Sequence, residues 1–275
     1  MTRIALFQSN TGIDPAENAL ALVDAIGRAA SGGAEILFTP EMSGLLDRDS
    51  ERAGKRLRRE ENDPVLAAAL EAARSNHLWV SIGSLAVLSE SGKVANRTFV
   101  IDREGVIRAR YDKIHLFDVD LPTGESWRES NVYSAGQGVV LVNGTPVGKL
   151  GLTICYDPRF PLLFARLAES DADLISVPAA FTVPTGKAHW HVLLRARAIE
   201  AGLFIVAAAQ CGQHEDGRQT FGHSLVVDPW GEVLLDMGDE PGVGFADIDL
   251  KRIPEVRSRL PALNHRRPIP EAVIL

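Results

Sequence analysis

The sequence has little of three features, each of which would point to a particular class of protein. It contains 2 cysteines, Cys155 and Cys211, too few for the disulfide framework of a small secreted domain. No uncharged apolar run reaches about 18 residues, so we expect neither a membrane span nor a secretory signal. The formal net charge is -7, and the main basic cluster, residues 55–59, is followed at once by Glu60 and Glu61, so we expect it to be a solvated helix face. These features argue against a nucleic-acid partner and against a membrane partner.

The composition is that of an ordinary globular protein, with 45% hydrophobic and 24% charged residues in 275. The sequence contains no internal repeats, low-complexity tracts or Gly/Ser-rich linkers, so we expect residues 1–275 to form one domain. A chain of this size does not need a disulfide, and a reducing cytoplasmic location therefore fits the two cysteines best.

Strands and helices alternate at the start of the chain. Residues 3–9 have the pattern of a buried strand, and Asp14 followed by Pro15 is typical of the first residues of a helix. The alternation continues with a strand over residues 34–39 and a helix over residues 64–77.

This alternation stops in residues 78–117, where strand-like segments are broken at Ser91-Gly92 and Glu104-Gly105 with no helical period between them. We expect an antiparallel meander there. Beyond Cys155 the alternation returns, and the pattern predicts helices over 160–168, 187–201 and part of 254–275, strands over 173–180 and 203–209, and a hairpin that turns at 228–231. The mixture predicts an α/β protein in which sheets pack together and helices cover them.

Three ionisable residues, Glu41, Lys113 and Cys155, follow or interrupt predicted buried strands. Residues at strand ends can converge on one crevice, which is where ligands bind in α/β sheets. A carboxylate can take the proton of a thiol, an ammonium group can stabilise negative charge, and a thiolate can attack a carbonyl carbon. A structural interpretation is also open, because free cysteines often pack as small hydrophobes and Glu41 with Lys113 can form an ordinary ion pair.

The histidines give no indication of a metal site. They show neither an HExxH spacing nor paired cysteine ligands, and His189 and His191, two apart on a predicted helix, should point to different faces. We therefore expect no metal and no cofactor.

Three segments that contain these ionisable residues resemble the signatures of the nitrilase-like carbon-nitrogen hydrolases. They are residues 38–41 (FTPE), 111–118 (YDKIHLFD) and 151–157 (GLTICYD), in the family's order and usual separation. The resemblance covers nearly the whole chain, and it implies a four-layer α-β-β-α sandwich.

The resemblance also implies a catalytic triad. Glu41 would be the general base, Lys113 the electrostatic stabiliser and proton donor, and Cys155 the nucleophile. Attack of the thiolate on an amide would give a thioester as ammonia leaves, with the oxyanion held by Lys113 and the Tyr156 backbone N–H. Water would then release a carboxylic acid. The implied partner is a small-molecule amide.

Other segments are similar to the Nit branch of this superfamily, namely residues 116–122, 188–200 and 207–212. That branch hydrolyses the amides of ω-amido 2-oxo acids or of deaminated glutathione. Residues 207–212 and 264–268 look more like the enzymes that act on deaminated glutathione. The alternative is an ω-amidase acting on 2-oxoglutaramate or 2-oxosuccinamate, or another small-amide or N-carbamoyl hydrolase of the superfamily.

Five further residues are candidates for supporting or substrate-binding roles. Glu129 matches the position of a second carboxylate that lies near the lysine in these enzymes, and Tyr156 follows the nucleophile. Arg159 either pairs with Asp157 or a neighbouring acid, which we favour, or meets a substrate carboxylate. Phe181 and Thr182 follow a predicted strand and can reach the site from above.

Two interpretations from other classes stay open. The fold can serve as a binding module without turnover, although the presence of all three triad residue types speaks against this. A thiol redox protein would need a resolving cysteine, and Cys155 and Cys211 are not in a CxxC arrangement. The resemblance further implies a homo-oligomer, since family members typically dimerise through the helix after the nucleophile and the C-terminal segment.

Overall fold

The computed structural model describes residues 1–89, 92–120, 124 and 126–274. The helices there are α1 (Pro15–Ser31), α2 (Ser50–Arg56), α3 (Pro64–Ser75), α4 (Pro161–Glu169), α5 (Val183–Ala201) and α6 (Arg252–Arg259). The strands are β1 (Thr2–Gln8), β2 (Ile36–Phe38), β3 (Arg58–Arg59), β4 (Trp79–Leu88), β5 (Val94–Ile101), β6 (Ile107–Asp112), β7 (Asp118–Asp120), β8 (Ser126–Arg128), β9 (Leu141–Thr145), β10 (Gly148–Leu152), β11 (Leu174–Ser176), β12 (Phe204–Ala207), β13 (Cys211–Gln213), β14 (Gln219–Phe221), β15 (Leu225–Val227), β16 (Val233–Asp236) and β17 (Gly242–Ile248).

Two main sheets share one plan of construction. The first has the order β17-β1-β2-β4-β5-β6, with β3 beside β4, and the second has the order β16-β15-β12-β11-β10-β9. In each sheet, strands connected through helices run parallel, namely β1, β2 and β4 in the first and β10, β11 and β12 in the second. The other pairs of these two sheets are antiparallel, except that β3 is parallel to β4. Of the antiparallel pairs, β4-β5, β5-β6, β9-β10 and β15-β16 are joined by short hairpin connections.

The layers follow from the two-residue period of the strands. Alternate residues such as Ala5 and Leu37 face α1 and α3 on the outer side of the first sheet. Their neighbours, such as Leu6 and Phe38, lie in the core shared with the second sheet, whose other face is covered by α4 and α5. The predicted four-layer α-β-β-α sandwich is confirmed.

Most of the predicted elements are present. Asp14 caps α1 by accepting a hydrogen bond from the Ala16 N–H at 2.9 Å. The meander over residues 78–117 is antiparallel, as β4 pairs with β5 and β5 with β6. Of its two predicted turns, the Glu104-Gly105 turn is present, whereas Ser91 of the other lies outside the described residues.

Two predictions about helices were wrong in detail. The basic cluster over residues 55–59 is not one helix face, because α2 ends at Arg56 and the following arginines pair with β4. Helix α5 begins at Val183 rather than at residue 187, because a proline fits without loss of a hydrogen bond in the first turn of a helix. No helix of the described chain has both the length and the apolar character needed to cross a bilayer.

A close approach at Gly83 connects the fold to the segment that carries Glu41. Gly83 lies where the pairing register of β4 and β5 shifts, and a Cβ atom there would overlap the Thr39 carbonyl oxygen and the Pro178 side chain. Glycine is therefore required for the segments that follow β2 and β11 to come together here.

We predict that Gly83→Ala lowers the free energy of unfolding by about 1–3 kcal/mol, because backbone has to move to make room. Gly27→Ala is the matched control, since Gly27 lies within α1 and a Cβ there would have no atom within 4 Å. That substitution should be neutral or stabilising by up to about 1 kcal/mol, because alanine favours helix. Urea denaturation measures both changes. Equal midpoints for the two variants would contradict this account.

Candidate active site

A cavity of about 580 Å³ lies where the segments after β2, β6 and β10 meet. The structure brings every site residue predicted from the sequence to the lining of this cavity: Glu41, Lys113, Glu129, Cys155, Tyr156, Arg159, Phe181 and Thr182. The convergence of strand ends explains this, because each of the three strands delivers one ionisable side chain to the same edge.

Cys155 lies three residues beyond β10 in an unusual backbone conformation, with φ of 48°. This left-handed conformation is rare for a residue other than glycine, and the surrounding structure has to enforce it. One contact that does so is the hydrogen bond from the Cys155 N–H to the Pro178 carbonyl oxygen at 2.8 Å. The turn holds the thiol at the cavity surface with its backbone fixed.

Lys113 is the centre of a buried charge network. Its Nζ donates to Glu41 Oε1 at 2.9 Å and to Glu129 Oε1 and Oε2 at 3.0 and 2.8 Å, with 2% of the side chain exposed. Asn96 on β5 donates through Nδ2 to the same two carboxylates, at 2.9 Å to Glu41 and 3.2 Å to Glu129. The network places one ammonium group between two carboxylates beside the thiol.

Backbone N–H groups fix the orientation of both carboxylates. The second oxygen of Glu41 accepts from the Ala180 N–H at 3.0 Å, and Oε2 of Glu129 accepts from the Phe117 N–H at 2.7 Å. Charge-assisted hydrogen bonds of this kind are among the stronger ones in proteins, so neither carboxylate is free to rotate away from the lysine.

The electrostatics of the network set the protonation states. Burial favours the neutral form of Glu41, but the Lys113 charge and hydrogen bonds from the thiol, Lys113 and Asn96 hold its pKa below the ordinary value. Burial would lower the pKa of Lys113, yet Glu129 and Glu41 raise it well above its usual range. Burial and the facing Glu41 charge raise the pKa of the Cys155 thiol, against the opposing effect of Lys113. The resting site therefore has a neutral thiol next to an ionised base.

Asp157 belongs to this site, although no role of its own was predicted for it from the sequence. Its buried carboxylate accepts from the Tyr111 hydroxyl at 2.7 Å and from the Ile154 N–H at 2.7 Å, and it contacts the ring and backbone nitrogens of His115. Because Tyr111 and His115 flank Lys113 while Ile154 precedes Cys155, this one carboxylate holds the segment around Lys113 against the turn that carries Cys155. Asn96 was also missed, since an asparagine within a strand gives no signal of a long-range contact.

The favoured expectation that Arg159 pairs with Asp157 was wrong, because Asp157 already accepts from other donors. The Arg159 guanidinium lies instead over the Tyr156 ring at 5.7 Å and the Phe181 ring at 5.5 Å, and it contacts His189 Nδ1 at 3.2 Å. No acidic partner for Arg159 is present among the described residues. A positive charge at the cavity wall is thus available to a ligand.

Phe181 and Thr182 differ in their contribution to the wall. Phe181 packs on Trp190 with ring centroids 4.8 Å apart, while Thr182 precedes α5 and shares a hydrogen bond with Thr185 at 2.8 Å.

The backbone N–H of Tyr156 donates to no other group in the part of the chain that the structure describes, so it is available to donate a hydrogen bond to a ligand.

One group of side chains outside this cavity can hold a metal ion. His191, His223 and Asp236 bring ligand atoms within 4.8 Å of one another. Histidine spacing did not reveal the group because its members come from three separate elements. None of them lines the cavity, so the chemistry proposed there does not depend on this group.

Comparison with known proteins identifies the family of this chain. The carbon-nitrogen hydrolase family model matches residues 3–258. The chain belongs to the carbon-nitrogen hydrolase family. Its resemblance to the family's signature segments and its activity as a hydrolase of amide C–N bonds are thereby confirmed.

Relatives and solved structures agree with this assignment. A Bos taurus protein named deaminated glutathione amidase is 39% identical over 96% of this chain and 82% of its own, and a Yersinia enterocolitica protein of that name is 37% identical over 96% and 92%. The crystal structure of the Caenorhabditis elegans NitFhit protein is 38% identical, with a TM-score of 0.89 over 97% of this chain and 65% of that one.

A further solved structure comes from an amidase of Nesterenkonia sp. AN1, which is 28% identical with a TM-score of 0.79, over 94% of this chain and 98% of that one. In that structure, acrylamide has added to the active-site cysteine of the amidase. The predicted membership of the Nit branch agrees with the NitFhit likeness.

We predict that Tyr111→Phe lowers the free energy of unfolding of this hydrolase by about 1.5–3 kcal/mol, because it removes a hydrogen bond to a buried carboxylate. Tyr133→Phe is the matched control, since among the described residues the Tyr133 hydroxyl reaches only the weak acceptor Met42 Sδ at 3.9 Å. This substitution should cost less than about 0.5 kcal/mol. Thermal and urea unfolding compare the two. A Tyr111 variant as stable as the control would show that Asp157 does not connect the segments as described.

Proposed function

We propose that this hydrolase cleaves deaminated glutathione through a thioester on Cys155. The observation that carries the proposal is the buried network in which Lys113 keeps Glu41 ionised beside a neutral thiol. That arrangement supplies a base, a nucleophile and a fixed positive charge in one cavity. The names of the relatives support the choice of substrate.

Acylation begins with transfer of the thiol proton to Glu41. The raised pKa of the thiol means that little thiolate exists before a substrate arrives, so the adjacent base is required. The thiolate attacks the amide carbonyl carbon and forms a C–S bond. Negative charge develops on the carbonyl oxygen, where Lys113 Nζ and the Tyr156 N–H stabilise it.

Collapse of this intermediate breaks the C–N bond. The leaving nitrogen needs a proton, and Glu41 is the better source because its lowered pKa favours release of a proton, whereas the raised pKa of Lys113 disfavours it. We therefore assign the proton transfers to Glu41 and the electrostatic role to Lys113. Glu129 keeps Lys113 charged and correctly placed, as a positioning residue.

Deacylation uses the same groups in reverse order. Glu41 takes a proton from water, the resulting hydroxide attacks the thioester carbonyl carbon, and the oxyanion again lies beside Lys113 and the Tyr156 N–H. The C–S bond then breaks, and the thiolate regains the proton from Glu41. A carboxylic acid leaves.

The proposed substrate changes one detail of the scheme drawn from the sequence. Cleavage of deaminated glutathione at its 2-oxoglutaryl amide releases the dipeptide cysteinylglycine as the amine, not ammonia. The acyl group carries the carboxylate of a 2-oxo acid, and Arg159, next to Tyr156 and without an acidic partner in the described chain, is placed to bind it. Phe181 and Thr182 complete the wall on that side.

A cytoplasmic homo-oligomer is the setting we infer for this activity. The free thiols of Cys155 and Cys211 suit a reducing compartment. Apolar side chains of α4 and α5, namely Leu162, Val192 and Ile199, are exposed on the surface of one chain, and a second copy can cover them.

We predict that wild-type enzyme releases 2-oxoglutarate from deaminated glutathione with a higher kcat/KM than from 2-oxoglutaramate. Cys155→Ala should reduce both activities by at least about a thousandfold, because no other group can form the acyl intermediate. Cys211→Ala is the matched control, since this buried thiol does not line the cavity, and it should retain activity within about twofold. Coupled assay of 2-oxoglutarate measures all of these rates.

The results of these assays distinguish the proposed function from its alternatives. Faster hydrolysis of 2-oxoglutaramate would make the enzyme an ω-amidase. Unchanged turnover by the Cys155 variant would remove the covalent mechanism, and a binding module would show no turnover with either substrate.

We also predict that the double variant Leu162→Glu/Val192→Glu dissociates the oligomer, because burial of two carboxylates against apolar surface is costly. Val106→Glu is the control, since Val106 is exposed in the turn between β5 and β6 on the first sheet. Light scattering after size-exclusion chromatography reports the mass. A wild-type monomer, or an assembly that the double variant leaves intact, would contradict the inferred interface.

A further inference from the structure

A second group of cationic side chains lines the same cavity around Trp127. The guanidinium groups of Arg48 and Arg218 lie 6.0 Å and 5.2 Å from the centre of the Trp127 ring. Arg48 lies in the loop before α2, Arg218 precedes β14, and Trp127 lies in β8. Three separate elements therefore place their side chains at one point of the wall, which we call the Trp127 cluster.

A buried carboxylate organises this cluster. Asp216, with a fully buried side chain, accepts from Arg218 Nε at 2.7 Å and from the Arg48 backbone N–H at 2.8 Å. It also accepts from the Arg218 backbone N–H at 3.0 Å. One carboxylate thus fixes the loops that carry both arginines.

The donors of the cluster exceed its acceptors. The Arg48 guanidinium has no ion-pair partner among the described residues, and the terminal nitrogens of Arg218 donate to no group in the same part of the chain. The indole Nε1 of Trp127 is buried and has no hydrogen-bond partner there. Asp216 neutralises one of the two positive charges. One excess positive charge remains. The buried Trp127 Nε1 and the terminal nitrogens of Arg218, whose side chain is 17% exposed, have no acceptor in the described chain, whereas Arg48 is exposed to solvent.

A buried donor without an acceptor, such as Trp127 Nε1, is costly, and a ligand that supplies an acceptor removes that cost. Arginine presents paired N–H groups whose geometry matches a carboxylate, and stacking on an aromatic ring keeps the guanidinium in place. The Trp127 cluster has the composition of a carboxylate-binding site.

The cluster is separate from Arg159. Aromatic rings run from Trp127 to Phe117, at 6.4 Å between centroids, and from Phe117 to Tyr156 at 5.0 Å. Arg159 lies over the far ring of this row. The cavity therefore carries cationic groups at both ends of the row, with Cys155 adjacent to Tyr156 at one end.

We propose that the Trp127 cluster binds the carboxylate of the leaving group, so that Arg48, Arg218 and Trp127 select amides whose amine portion ends in a carboxylate. The inference rests on the proposed function, in which that carboxylate belongs to the glycine of the departing dipeptide. An ω-amido 2-oxo acid has a carboxylate on its acyl side and none on its leaving nitrogen. The cluster thus gives a physical reason for preferring the larger substrate.

The test compares deaminated glutathione with its C-terminal amide, in which the glycine carboxylate is replaced by a carboxamide. Wild-type enzyme should prefer the acid in kcat/KM by about tenfold or more, as expected for a charge-assisted contact. Arg48→Gln is the first variant, because no ion pair is lost with it. It should reduce this preference several-fold through the KM for the acid, and this loss should exceed any change in the KM for 2-oxoglutaramate, which has no carboxylate on its leaving nitrogen.

Further variants refine the test. Arg218→Lys keeps the charge and the contact with Asp216 but removes the paired donors, and it should also weaken the preference. Arg74→Gln is the control for loss of one surface charge, since Arg74 pairs with Glu71 on α3 and does not line the cavity, and it should keep the wild-type preference.

Binding separates this inference from the proposed function. Calorimetric titration of the Cys155→Ala variant with deaminated glutathione and its amide should show the same preference, and adding Arg48→Gln should remove it. If binding shows the preference while wild-type enzyme does not cleave the peptide, the substrate proposal fails and the cluster stands. If the acid and the amide bind and react equally, or the Arg48 variant retains the preference, the cluster has no such role.

Discussion

The ammonium group of Lys113, buried between the carboxylates of Glu41 and Glu129, is the interaction on which the rest of the site depends. Burial alone would lower the pKa of the Lys113 ammonium group and raise the pKa of the Glu41 carboxyl group. Because each charge stabilises the other, both groups stay charged, and the ionised Glu41 can then act as a base on a thiol whose own pKa is raised. Such buried networks cost desolvation free energy, which a purely structural site would avoid by using apolar residues.

The network also explains why the site needs both sheets. Glu41 and Lys113 follow strands of the first sheet, whereas Cys155 follows a strand of the second. The Ala180 N–H on Glu41 and the Asp157 contacts with Tyr111 cross between these halves. The packed sandwich therefore brings Glu41 and Cys155 together, and neither sheet alone contains both side chains.

The sequence predicted the layers, the meander and the residues that converge, because strand periodicity, caps and strand ends are local signals. It did not predict Asn96 or Asp157, whose partners lie far away along the chain and depend on how the sheets pack. The pairing expected for Arg159 was wrong for the same reason: Asp157 is near in sequence, but its oxygens are occupied by distant donors. The Trp127 cluster was not predicted from the sequence, since its residues come from two loops and a three-residue strand that show no periodicity.

In the proposed reaction, the buried network serves to form an acyl-enzyme on Cys155. The decisive experiment mixes wild-type enzyme with deaminated glutathione, stops the reaction with acid within its first turnover and maps the adduct by peptide mass spectrometry. We expect a 2-oxoglutaryl thioester on the peptide that contains Cys155, formed as cysteinylglycine is released and before 2-oxoglutarate appears. Release of both products together, with no adduct on that peptide, would refute the covalent mechanism.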